Sequence, residues 1–103
     1  MDTVAFTMKL LPGNEEIYEQ RHKEIWPELA SLLKKAGIAE YHIFLDKSSG
    51  VLFAFQHVEE QPQRVNLAEE AIMKKWWAYM GDIMETNPDQ SPKVTPLEKV
   101  FTL

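Results

Sequence analysis

The sequence predicts an α+β domain: one antiparallel sheet with helices on one of its faces. Three observations predict it. Four separate short runs are rich in apolar residues, and two of them, Val4 to Leu10 and Leu97 to Leu103, show the alternating period of a half-buried strand. Between those runs, two longer segments carry apolar residues at helical spacing. Proline, glycine and asparagine punctuate the joins.

The first strand is Val4 to Leu10, where Val4, Phe6, Met8 and Leu10 alternate with Ala5, Thr7 and Lys9. Leu11-Pro12-Gly13-Asn14 ends it. Asn14 is the expected cap of the following helix, with Glu15 and Glu16 complementing its positive end. That helix runs from Glu15 to Lys35 and buries Tyr18, Ile25, Trp26, Leu29, Leu32, Leu33 and Ala36. Pro27 lies inside it. A proline there lacks an amide proton and clashes with the preceding turn, so a kink or two abutting helices are expected, Pro27 opening the second. Gly37 is the C-terminal stop.

Two strands follow. Tyr41, Ile43 and Leu45 lie on one face of the first, with His42, Phe44 and Asp46 on the other. The second is Val51 to Val58. Asp46-Lys47-Ser48-Ser49-Gly50 between them is turn chemistry, which makes a hairpin. Both faces carry apolar residues, so helices cover one face and a second subunit is expected on the other. A second helical region is expected from Pro62 to about Met84, with a possible break between Leu67 and Glu70. A loop holds Asn87-Pro88-Asp89 and Ser91-Pro92. Leu97 to Leu103 resumes alternation and reads as the last strand. The order β-α-β-β-α-β is the ferredoxin-like split pattern, in a single domain of residues 1–103.

Sixteen acidic residues against 11 basic ones give a net charge of −5. Nucleic acid and anionic membrane surfaces both call for basic patches, and none is present. A neutral ligand fits this balance. The chain has no cysteine, which excludes disulfides and thiolate metal sites. No secretory leader and no apolar run of membrane-spanning length are found, which makes the cytoplasm the expected location.

Tyr18 and His22 stand four residues apart on a helix, nearly stacked on the inward face. Two readings of His22 remain open: a core histidine satisfied by one hydrogen bond, or a proton donor in a pocket. Tyr41 is either a core tyrosine or a hydroxyl reaching a polar ligand. Trp76-Trp77 is the least ordinary feature. Neighbouring helical positions diverge by about 100°, so one indole can face the core while the other flanks a pocket. Indole faces suit the C–H faces of a sugar, and a structural or interface role stands beside that reading. The three histidines, His22, His42 and His57, have no metal-binding spacing. No glycine-rich phosphate loop and no nucleophile motif occur.

These residues also carry a family resemblance. The run Tyr18 to Leu29 (YEQRHKEIWPEL), then Tyr41 to Asp46, Leu52 to Ala54, Trp76 to Met84 and Asn87 to Pro92 together resemble the L-rhamnose mutarotases. The double tryptophan followed by N-P-D-x-S-P is the most specific part, and the likeness spans nearly the whole chain. Phe44 stands where relatives can have tyrosine, and Glu60 to Met73 matches poorly. The resemblance implies interconversion of the α and β anomers of L-rhamnose, with His22 as proton donor and Tyr18, Tyr41, Trp76 and Trp77 contacting the sugar. It implies a cytoplasmic homodimer, a dimeric α/β barrel, needing no metal or organic cofactor. Two other classes share such a scaffold, because a fold does not determine function. One is a small cofactor-free monooxygenase, the other a non-catalytic sugar-binding dimer.

Overall fold

A computed structural model describes residues 2–60 and 65–103 of the chain. The elements are β1 (Asp2–Lys9), α1 (Glu15–Lys23), α2 (Pro27–Lys35), β2 (Ile38–Asp46), β3 (Val51–Val58), a 3-10 turn (Leu67–Glu69), α3 (Ala71–Met80) and β4 (Thr95–Pro96). The strands form one antiparallel sheet in the order β2-β3-β1-β4.

The register sorts the side chains. Phe6, Ala54 and Ile43 stand side by side across three strands, as do Met8, Leu52 and Leu45. This face, with Val4, Gln56 and Tyr41 in the next row, carries the core. Leu52 and Ala54 are fully buried there, under Leu29 of α2 and Trp76 and Met80 of α3. The opposite face holds Ala5, Phe55 and His42, then Thr7, Phe53 and Phe44. Phe44 is 62% exposed and Phe55 37%, and their rings meet edge to face 5.9 Å apart.

The long first helical segment divides where proline requires it. Trp26 adopts an extended φ/ψ and Pro27 is the first residue of α2, where its missing N–H costs no hydrogen bond. Gly37 follows α2 with φ +90°, and a Cβ there would lie 2.5 Å from the Glu59 carbonyl oxygen. Only glycine fits that stop.

Four expectations need correction. Asn14 sits at the start of α1, but its side chain caps nothing: with φ −112° and ψ 18° the amide turns back and donates to the carbonyls of Leu11 and Pro12. The hairpin's first strand begins at Ile38, before Tyr41, because Gly37 returns the chain directly beside Glu59. The last helix ends at Met80, where the chain turns at Gly81 to run back beside β1, with Leu11 N–H donating to the Ile83 carbonyl and Glu85 N–H to that of Lys9. The break near Leu67 to Glu70 is present as the 3-10 turn, whereas the expected start at Pro62 lies outside the described residues. Finally, β4 is Thr95–Pro96 and not Leu97–Leu103. Alternation makes a strand only where a neighbour offers a ladder. β1 pairs Thr7 with Thr95 and Phe6 with Pro96, and the Leu97 N–H donates once more to Ala5 before the chain leaves the sheet. Beyond it, Val100, Phe101 and Leu103 are exposed.

Candidate active site

The helices and the core face of the sheet enclose a cavity of about 540 Å³. That lies within the range of roughly 300–1,000 Å³ typical of small-molecule sites. Its floor is apolar, formed by Ile43, Leu45 and Leu52 of the sheet, with Leu29 and Leu33 of α2 at the side.

The polar groups come first from α1. Glu15, Tyr18, Glu19 and His22 all line the cavity. Their spacing, i, i+3, i+4 and i+7, is one face of a helix. Tyr18 is buried, and the His22 imidazole packs against its ring at 4.3 Å. His22 Nδ1 lies 3.0 Å from the Tyr18 carbonyl oxygen. A carbonyl can only accept, so Nδ1 carries the hydrogen. In the neutral ring the lone pair is therefore on Nε2, which no hydrogen bond engages among the described residues. Burial pushes the His22 pKa below the usual histidine value, against the opposing pull of the Tyr18 carbonyl.

Tyr41 reaches the same space from the middle of β2. Its ladder partner is Gln56, whose side chain hydrogen-bonds the phenol. Burial raises the pKa of Tyr41, only partly offset by Gln56. Burial and the neighbouring Tyr41 raise that of Tyr18 further. Both phenols are therefore neutral at physiological pH, fit to donate or accept hydrogen bonds and not to act as phenolate bases.

The tryptophans come from α3, and the structure separates them. Trp76 is 6% exposed, set edge-on to His22 at 5.5 Å and to Trp26 at 5.1 Å. Trp77 is only partly buried and contributes wall. All five residues singled out from the sequence thus line one cavity.

Others were not singled out. Glu15 and Glu19 share the α1 face, and helical spacing from Tyr18 and His22 was the signal for them. Thr86 and Gln90 line the cavity from the loop after α3, where the sequence shows only turn chemistry. Arg21 clamps α1 to the end of α3. It donates to Asp82 through both terminal nitrogens, at 2.8 and 3.2 Å, and to the Tyr79 carbonyl at 2.8 Å, while stacking 4.3 Å over the Tyr79 ring. No local spacing announces a pair 61 residues apart.

The histidines do not converge. His42 stands opposite Phe55 on the other sheet face, and His57 faces Glu40 at 3.9 Å. Among the described residues, no group of three metal-ligating side chains is assembled.

Comparison with known proteins agrees with this architecture. The family model for L-rhamnose mutarotase matches residues 3–103. An L-rhamnose mutarotase of Formosa agariphila is 50% identical over 101 residues, covering 98% of this chain and 97% of its own. One of Acidiphilium cryptum is 50% identical over 103 residues, covering 100% and 99%. The crystal structure of an L-rhamnose mutarotase from Formosa agariphila superposes with a TM-score of 0.94 at 48% identity, covering 100% of this chain and 99% of that one. The chain belongs to the L-rhamnose mutarotase family.

Proposed function

We propose that this chain interconverts the α and β anomers of L-rhamnopyranose by passing a proton through His22. It is an isomerase of the aldose 1-epimerase type. The observation that carries the mechanism is the hydrogen bond from His22 Nδ1 to the Tyr18 carbonyl, which leaves Nε2 as the reactive nitrogen in the cavity.

In ring opening, Nε2 accepts the proton of the anomeric hydroxyl O1. The C1–O1 bond becomes a carbonyl, and the electron pair of the C1–O5 bond leaves on O5. The imidazolium then returns the proton to O5. Both oxygens are bonded to C1, so a nitrogen placed between them serves both transfers. The proton-donor role implied by resemblance is kept, in the second half of the step. The aldehyde turns about C1–C2 and closes by the reverse sequence. Nothing is oxidised or reduced, and no group leaves. Tyr18 and Tyr41, held neutral by burial, donate hydrogen bonds to the sugar oxygens and support the charge that develops on O5. Trp77 supplies an aromatic wall for the ring, and Trp76 backs the imidazole.

The wider reading is a single domain of residues 1–103, ferredoxin-like, assembled as a cytoplasmic homodimer whose sheets close a dimeric α/β barrel. The strand order β2-β3-β1-β4 supports the first part. The exposed Phe44 and Phe55 on the sheet face away from the helices support the second.

The test is saturation-transfer NMR on equilibrated L-rhamnose, with and without protein. Faster transfer between the two anomeric protons supports the reading. Binding without faster transfer identifies a sugar-binding dimer, and oxygen uptake with an electron-rich aromatic compound identifies a monooxygenase. Either outcome overturns it.

A further inference from the structure

The segment after α3 forms a small hairpin at the cavity mouth. It is tied to the end of β1 through the Glu85 N–H bond to Lys9, and to the residue after β1 through the bridge between Leu10 and Met84. Its rungs are Lys93 N–H to the Glu85 carbonyl, the Thr86–Pro92 bridge, and Asn87 N–H to the Ser91 carbonyl at 2.8 Å. Gln90 N–H donates to the Asn87 carbonyl at 2.9 Å and closes the turn around Pro88 and Asp89. Side chains brace it further: Asn87 Nδ2 donates to Ser91 Oγ, and the Ser91 backbone N–H and hydroxyl both donate to Asp89.

This pattern, a turn followed by one left-handed residue, ordinarily places glycine or asparagine at the left-handed position. Here the residue is Gln90, at φ +72°, and among the described residues it alone departs from that preference without being glycine. A long side chain thus stands where the backbone favours none. Gln90 lines the cavity. Its amide also lies over the end of α3, since a Cβ on Gly81 would sit 3.7 Å from Gln90 Nε2. Gly81 is four residues beyond Trp77, on the same helical face. The amide therefore lies beside the C-terminal end of the helix that carries Trp77, on a loop whose backbone shape owes nothing to the amide itself.

We infer that Gln90 is a specificity-determining residue, whose amide reads the configuration of a sugar hydroxyl at the cavity mouth by the end of α3. A primary amide both donates and accepts, which matches adjacent hydroxyl groups in one orientation and not in its epimer. Aromatic walls bind either configuration; an amide carried on a braced backbone turn does not. The inference rests on the mutarotase reading for the identity of the sugar.

The φ angle supplies its own test. Gln90→Gly removes the amide while relieving the backbone, so this variant folds at least as well as wild type. Exchange is measured against sugar concentration for L-rhamnose and its epimers at C2, C3 and C4, and binding by quenching of tryptophan fluorescence. The expected result is an unchanged or higher Tm with KM for L-rhamnose raised roughly three- to tenfold, the worth of one neutral hydrogen bond. KM rises more than kcat falls, and preference over one epimer shrinks. Gln90→Asn, which keeps an amide and tolerates the left-handed backbone, restores most of the preference. Unaltered KM, binding and preference in Gln90→Gly would overturn the assignment. If wild type binds L-rhamnose without exchanging it, the mutarotase reading fails, while weaker and less selective binding in Gln90→Gly still upholds the role of the amide. If wild type neither binds nor exchanges it, both fall.

Discussion

The Nδ1 nitrogen of His22 donates to the Tyr18 carbonyl one turn back along its own helix, at 3.0 Å. The bond fixes the ring plane and the tautomer together. It also makes the pH dependence of the enzyme predictable. Tyr18 and Trp76 pack directly on the ring; Glu15 and Glu19 on α1 and Tyr41 on β2 share its cavity. Burial outweighs the opposing pull of the Tyr18 carbonyl and holds the pKa of His22 below the ordinary 6.5. Neutral His22 is the form that accepts the O1 proton. Exchange should therefore rise with pH, bend over at a value below 6.5, and stay flat through neutrality. Stability has the same sign. Between the folded value and 6.5 the unfolded chain binds more protons, so the contribution of His22 is fully present above 6.5 and is lost as pH falls through that window. Saturation transfer across pH, corrected for the uncatalysed reaction, measures the first. Removal of the group in His22→Ala should lower exchange by roughly 10²–10⁴ and abolish the inflection, with the circular dichroism spectrum retained. A rate that instead falls as pH rises through that inflection would mean that His22 starts the reaction protonated.

The two tryptophans should fail differently. Trp76 is 6% exposed and packed edge-on to both His22 and Trp26. Trp76→Phe leaves a gap in the core, worth about 1–2 kcal/mol of stability, and loosens the imidazole. Its signature is a lower kcat. Trp77 is partly exposed on the cavity wall. Trp77→Phe should cost less stability and raise KM. Urea denaturation with exchange measured against sugar concentration separates the two; equal losses in both would refute the division.

Legibility in the sequence tracked the range of the interactions. Val51 to Val58 is the strand that the apolar run marked, because the run is local and the Asp46-to-Gly50 turn bounds it. Pro27 opens α2 because a proline's effect is confined to its own backbone and the turn before it. Tyr18 and His22 meet because one helix spaces them. The failures needed a partner that local pattern does not name. Leu97 to Leu103 alternates like a strand, but β1 pairs with Thr95–Pro96 instead. Asn14 had the composition of a cap and met closer acceptors in the preceding turn. Arg21 and Asp82, and the cavity side of Gln90, depend on how the end of α3 docks on α1, which no window of sequence contains.

That docking is itself testable through Arg21. Its side chain is 10% exposed and that of Asp82 65%, so the ion pair itself is weak and solvent-screened. The fork of hydrogen bonds and the stack on Tyr79 add geometry that a point charge lacks. Tyr79 in turn stacks on Trp26 at 5.6 Å, which meets Trp76. Arg21→Ala should therefore lose about 1–2 kcal/mol of stability and also lower exchange at temperatures where it is fully folded. Arg21→Lys should recover part of the stability and less of the exchange. Full activity in folded Arg21→Ala would leave the clamp a purely stabilising contact.

The outer sheet face bears on assembly. Phe44 and Phe55 meet edge to face there, flanked by Phe53, with Phe44 62% exposed. A chain of 103 residues has little apolar area to spare for solvent. Val100, Phe101 and Leu103 beyond β4 are exposed as well. Covering both in a second copy would remove them from water at one symmetric interface, to which the same patch contributes from each side. Sedimentation equilibrium at micromolar concentration should then give twice the chain mass of 12.0 kDa. Phe44→Glu places a charge at the centre of that face and should shift the equilibrium toward monomer, since an unpaired buried charge is strongly disfavoured. The cavity lies on the other side of the sheet from Phe44, so the same variant reports whether exchange needs the assembly. Activity that falls with dilution in step with dissociation would tie the two together. A wild-type monomer at these concentrations would show that the aromatic face stands in water by itself.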